Sequence, residues 1–565
     1  MSRTRTAASA GAIALAALTT VLEPAAASAW QADCPQPEFM QRADIPGLGL
    51  AEVSGEQIDV SAFGYAERPS ACVTESTIFE AASLTKPVVA YAVLRLVDRG
   101  RLGLDDPLVD LLPTLPLPPD DPRSARVTVR MALSHSTGLR GPDDRTLAFE
   151  DDPGEAFRYY PPGYRLVQRA IEHLENATLE EIARREVFEP LGMQSSSLVY
   201  RVEFADRLAT RHRMLGEPIE RQREPGRPAN AAASLLTTPG DYGRFLRAML
   251  DGEGLTTDSH AAMLEPQIRV PGTNGAVAWG VGWGLEPDRG TFFHWGDDGA
   301  AKCFTMGSTD RDEAFAYFTN SFYGMAVAGE FAADLLPGDS PAVQWLGYPS
   351  WDAPERLARR DTVRAFVEGD ADRGMATFER YQREHPELDM DAVASFVSWI
   401  LDGRSLHDGR VRLLARQIER QPGNAGLQLD RARSLRALGR SAEAIDALRA
   451  AMPLVDASTA ASITGQIGWI EDELAAADPA RAGARPPLEQ FVGSYGPRRV
   501  SIESGAAVYQ RGDGPRFTLR WMRGTTFALE GNDTFRIRFV PGQQRATSII
   551  GLYADGRTDE SPRSD

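Results

Sequence analysis

Between about residue 345 and about residue 490 the chain carries no strand signal: Arg, Ala, Leu, Glu and Asp dominate, and apolar residues recur at helical spacing. A purely helical stretch of that length cannot share one sheet with what flanks it. It therefore divides the 565 residues into parts, as expected for a chain longer than one hydrophobic core supports. The expectation is a multidomain α+β protein: an antiparallel sheet flanked by helices over 30–340, a helical segment over 350–480, and a small antiparallel β barrel or sandwich over 487–560.

Local pattern fills in these parts. Residues 45 to 80 alternate apolar and polar positions between Gly47, Gly49, Gly55 and Gly64, which predicts two or three short strands in hairpins. From Ser83 to Arg99 the spacing becomes helical, with Val88, Val89, Ala92, Leu96 and Val97 near one face and Gly100 as a terminator. Further helices are expected over 163–174, 179–187 and 239–250, and strands over 275–285, 290–294, 302–308 and 314–319. One sheet built from both ends of the domain follows from that order. Asn424 to Pro453 resembles a tetratricopeptide unit, with Leu435, Gly439, Ala444, Leu448 and Ala451 at small and apolar positions, which makes the segment a candidate surface for a protein partner. Residues 478 to 487 read as a linker, followed by seven short strands up to Tyr553.

Residues 1–29 read as a secretory signal peptide: Arg3 and Arg5, an apolar stretch from Ala7 to Val21, and Ala27-Ser28-Ala29 before a mature start at Trp30. An exported protein, periplasmic or extracellular, is expected, with no later apolar run of the ~18 residues a span requires. In such a compartment Cys34 and Cys72 could form a disulfide, leaving Cys303 as a buried small residue. A net charge of −18 repels phosphate backbones, which argues against a nucleic-acid partner.

Lysine occurs only at 86 and 302, against 61 Lys plus Arg in total. Arg stays protonated wherever a fixed charge is wanted, whereas Lys can lose its proton when buried. In Ser83-Leu84-Thr85-Lys86 a serine at a helix start and a lysine one turn later lie on the same side of the helix. Serine needs a base within hydrogen-bonding reach, and a desolvated amine can be one. The bland alternative is a helix cap followed by a surface lysine. The histidines show no HExxH or clustered spacing and no glycine-rich phosphate loop is present, so neither a metal nor a cofactor is indicated.

Other residues make the pattern specific. Phe79 to Lys86, followed by Gly103-Leu104-Asp105-Asp106-Pro107-Leu108, resembles the first motif of the class C β-lactamase-like serine hydrolases, of the β-lactamase and penicillin-binding-protein superfamily. Leu133-Ser134-His135-Ser136-Thr137-Gly138-Leu139 is similar to that family's turn between its first and second motifs. Tyr159-Tyr160-Pro161 resembles the second motif with Pro161 where the family carries asparagine, and His294-Trp295-Gly296 the third with histidine in place of lysine. Asn230 to Leu236 resembles a structural segment of the family. The resemblance implies Ser83 as nucleophile, Lys86 and Tyr159 as proton handlers, and His294, Gly296 and Asp297 on the substrate and oxyanion side. It implies acyl transfer on an ester or amide, of esterase or D-specific peptidase type, with a small-molecule or peptide substrate. The alternative is an inert relative that binds peptidoglycan fragments, peptides or a protein, which the loss at Pro161 favours.

Overall fold

The computed structural model describes residues 34–565 apart from 113, 115, 142–145, 221–224, 479 and 481–482. The signal peptide expected over 1–29 and the start at Trp30 lie outside the described residues. No described helix is long and apolar enough to cross a membrane. The chain divides between Tyr348 and Pro349 into two compact units.

The first unit is built on a nine-stranded antiparallel sheet. From one edge to the other its strands are Ala71–Cys72, Gln57–Glu67, Gly47–Ser54, Glu313–Thr319, Lys302–Ser308, Thr291–Asp297, Gly284–Glu286, Ala278–Trp279 and Ile268–Arg269. Gly47–Ser54 pairs with Glu313–Thr319, Leu50 opposite Tyr317, so both ends of the unit meet in one sheet. Lys302–Ser308, at its centre, is buried along its whole length, as a strand covered on both faces must be. Cys34 and Cys72 are joined as a disulfide, which fixes the first described residue to the edge strand.

Two sequence expectations change. The stretch 275–285 is not one strand: it breaks into Ala278–Trp279 and Gly284–Glu286 around Gly280 and Gly282. Gly282 has φ +92°, and a Cβ on Gly280 would lie 2.1 Å from the Met263 carbonyl oxygen, so backbone approach and not apolar pattern decides the turn. The helix after Ser83, Thr85–Asp98, buries all but Arg95, Val97 and Asp98, because it runs through the core between sheet and neighbouring helices instead of resting one face on it.

In the second unit, helices run from Pro354–Glu368 to Ala457–Ala477; Ala371–Glu384 packs on Pro354–Glu368 and His407–Arg420, and from Met390–Gly403 onward each helix packs on the next. Ala425–Ala437 and Ser441–Ala451 turn about Gly439 and bury Leu435, Ala444, Leu448 and Ala451 between them. The carboxy-terminal part is an eight-stranded antiparallel meander around Phe491, Tyr495, Phe527, Ile537, Phe539 and Ile549. It is a nearly closed barrel and not a sandwich: the Ser564 N–H donates to the Ser494 carbonyl at 2.8 Å, bringing the last segment to the first strand. Its eighth strand, Thr558–Pro562, went unseen in the sequence because Thr-Asp-Glu-Ser-Pro has no apolar alternation and is held by pairing with Ser548–Tyr553.

Candidate active site

Ser83 sits in a 3-10 turn, Ala82–Leu84, that runs directly into the helix Thr85–Asp98. The residue before it, Ala82, has φ +42°, a conformation that strains an L-residue and persists only where surrounding contacts enforce it. Those contacts are visible. The Thr85 hydroxyl donates to the Ala82 carbonyl at 2.6 Å and accepts the Leu235 N–H at 2.9 Å, while the Ala81 N–H donates to the Leu235 carbonyl at 2.8 Å.

One turn on, Lys86 Nζ lies 2.8 Å from Ser83 Oγ and 2.7 Å from the Ala232 carbonyl oxygen. The lysine is completely buried, and no carboxylate touches its amine among the described residues. Burial, reinforced by the positive Arg165, holds the Lys86 pKa well below its ordinary 10.5. The segment that supplies the Ala232 carbonyl, read from sequence as structural, is therefore part of the site. It is positioned by Gln168, whose amide donates to the Ala229 carbonyl and accepts the Ala231 N–H, both at 2.9 Å. A cavity lined by Glu80, Arg211, Asn230, Ser234 and Asp298 adjoins the same segment, with Arg211 held by both Glu80 and Asp298.

Tyr159 brings its ring to 5.0 Å from Lys86 Nζ. Its hydroxyl is buried without a direct hydrogen bond among the described residues, and although the nearby Ser83 hydroxyl favours the phenolate, burial dominates and raises the pKa. Tyr159 is thus a phenol at neutral pH, while Lys86 is the group whose proton is loosened. Pro161 begins the helix Pro161–Glu175, a position where its missing N–H costs nothing, and it offers no side-chain amide to the cleft.

His294 is fully buried, with Nδ1 2.9 Å from both the N and O of Trp295 and Nε2 without a partner. Burial, then the field of Lys86, pushes its pKa down to about 3, so it is a neutral imidazole. Gly296 presses the strand Thr291–Asp297 against the turn that carries Ser83: a Cβ there would lie 2.4 Å from Cys303 Sγ and 2.6 Å from the Ala81 carbonyl oxygen. Asp297 points its carboxylate away into a separate cluster, 2.6 Å from Lys302 Nζ and 2.6 Å from the Tyr348 hydroxyl.

Sequence reasoning assigned no role to His135. Its carbonyl accepts the Arg158 N–H at 2.8 Å, its Nδ1 accepts the Tyr160 N–H at 3.0 Å, and its ring lies 4.4 Å from that of Tyr159. One residue, held at φ +58°, thereby grips the backbone on both sides of Tyr159. Its place in the turn motif was the available signal. Trp279, Trp295 and Trp345 also gather here, and nothing in their spacing announced it.

The profile of the Beta-lactamase family matches residues 37–336. The chain belongs to the Beta-lactamase family. Penicillin-binding protein 4 of Amycolatopsis lactamdurans is 29% identical over 329 residues, covering 52% of this chain and 84% of that protein. Esterase EstB of Burkholderia gladioli is 38% identical over 100 residues, 18% of this chain and 26% of its own length. Among solved structures, a class C β-lactamase from Rhodobacter sphaeroides aligns over 50% of this chain and 91% of its own, at 17% identity and a TM-score of 0.44. The family is one of serine hydrolases, with esterases and penicillin-binding proteins among this chain's relatives.

Proposed function

We propose that this chain hydrolyses carboxylic esters through an acyl-enzyme on Ser83. The observation that carries the reading is the 2.8 Å contact between Ser83 Oγ and a buried lysine amine that has no carboxylate beside it among the described residues. As a neutral amine, Lys86 donates to the Ala232 carbonyl and accepts the Ser83 hydroxyl proton as Oγ attacks the ester carbon. A new Oγ–C bond forms, the ester C–O bond breaks, and the departing alkoxide takes a proton from the Tyr159 phenol, which Lys86 replenishes. Water then attacks the acyl carbon as Lys86 takes its proton, the Oγ–C bond breaks, Lys86 returns the proton to Ser83 Oγ, and the acid leaves. Backbone N–H groups at Ser83 and near Asp297 are the candidate oxyanion donors.

Ester is preferred over β-lactam or D-peptide amide because Pro161 provides no amide side chain and because relatives named as esterases share part of the sequence. The Cys34–Cys72 disulfide and the leader-like first 29 residues support export to an oxidising compartment. The test is intact-mass detection of a covalent adduct with a fluorophosphonate and with short aryl esters. An adduct that is lost in Ser83→Ala is the expected result; equal labelling of that variant, or no adduct with any reagent, rejects the assignment and in the second case leaves the inert binding reading.

A further inference from the structure

The surface next to the reacting pair is aromatic. Trp295 is half-buried with its ring 4.7 Å from that of Tyr159, and the half-buried Trp345 lies 5.6 Å from Trp295 and 6.1 Å from Phe157. Trp279 closes the back of this group, 5.9 Å from Tyr159 and 6.2 Å from Trp345. Tyr159 joins this wall to the reacting pair, its ring lying 4.7 Å from that of Trp295 and 5.0 Å from Lys86 Nζ.

This wall is fixed. Trp345 belongs to the helix Pro341–Leu346, and the fully buried Glu286 ties that helix to the sheet. Its carboxylate accepts the Ser340 hydroxyl at 2.5 Å, the Ala342 N–H at 2.8 Å and the Thr291 hydroxyl at 2.8 Å, with Arg289 at 3.1 Å. Preset rings take a flat apolar group without an ordering cost.

The charges around the wall are already matched. Lys302 is paired with Asp297, and Arg211 with Glu80 and Asp298. Arg158, next to Tyr159 in the chain, is paired with Asp151 and Glu150, and the positive Arg165 acts on Lys86.

Resting on the ester-hydrolase reading, we propose that the substrate of Ser83 is an uncharged ester whose acyl or alcohol part carries an aromatic ring or a similarly flat apolar group, received by Trp295 and Trp345. The full-length protein is assayed with trifluoroethyl esters of acetic, phenylacetic and succinic acids, and with acetate esters of ethanol and 2-phenylethanol. Each rate is compared between wild type, Trp295→Ser, Trp345→Ala and Trp345→Phe, so that intrinsic reactivity cancels. The expected result is a kcat/KM at least about tenfold higher for a ring-bearing ester of one series, the series naming the half that binds the wall. That ratio falls in Trp295→Ser and Trp345→Ala and recovers in Trp345→Phe. Equal ratios in all four proteins, or a preference for the succinate half-ester, overturn the proposal while leaving ester hydrolysis standing. Turnover of no ester at all overturns the ester reading and this proposal with it.

Discussion

The chain's two lysines occupy opposite surroundings within one unit. Lys302 meets Asp297 at 2.6 Å, and the Tyr348 hydroxyl donates to the same carboxylate. Lys86, inside the core, has a serine hydroxyl and a carbonyl as its hydrogen-bond partners among the described residues. Both side chains are nearly excluded from water, so burial alone does not distinguish them; the partner does. A carboxylate repays the desolvation of an ammonium, whereas two neutral oxygens do not, and the amine gives up its proton more readily. Lys86 is set apart from Lys302 by the carboxylate it lacks.

Removing each amine should break the symmetry most strongly. Lys86→Met is expected to lower kcat/KM for a short ester by about 10²–10⁴-fold, the range for a lost general base, and Lys302→Met by less than about tenfold. Steady-state kinetics on the two variants decides it; equal losses would mean that the comparison is wrong.

His135→Ala should come next, with about a tenfold to hundredfold fall in kcat and little change in KM, since it removes the imidazole's hold on the Tyr160 N–H, and with it half of the clamp around Tyr159, without touching the substrate. A loss confined to KM would contradict the clamp.

A pH profile sharpens the account further. Activity should rise with pH through one ionisation well below 10.5, that of Lys86, with no second step from a site histidine between 6 and 7, because His294 titrates at about 3 and burial keeps His135 well below 6.5. The smallest effect is on stability. The folded state binds the Lys86 proton less tightly than the unfolded chain, so this residue's contribution is least favourable below its folded pKa and improves as pH rises towards 10.5. Lys86→Met should therefore raise the Tm at neutral pH, by a few degrees at most on the order expected of about 1 kcal/mol.

Much of this was legible in the sequence, for identifiable reasons. The strands Lys302–Ser308, Arg498–Glu503, Thr526–Leu529 and Ser548–Tyr553 fall where residue pattern placed them, since pairing and pattern agree there. Ser83 and Lys86 were readable because one helical turn alone brings them together. Contacts made across long stretches of chain were not. The Ala232 carbonyl reaches Lys86 over 146 residues through Gln168, and His135 grips Tyr159 through backbone groups that no side-chain pattern reports. The tryptophan wall likewise depends on Glu286 tying a distant helix to the sheet, and a single buried glutamate carries no periodicity.

With only two lysines in the chain, the central claim can be read directly. Protein labelled with ¹³Cε-lysine should give two side-chain signals, the one missing in Lys86→Met belonging to Lys86. Titrated by NMR, that signal is expected to pass to the neutral amine well below 10.5. A Lys86 signal that titrates in the ordinary range of about 10.4 would contradict the account.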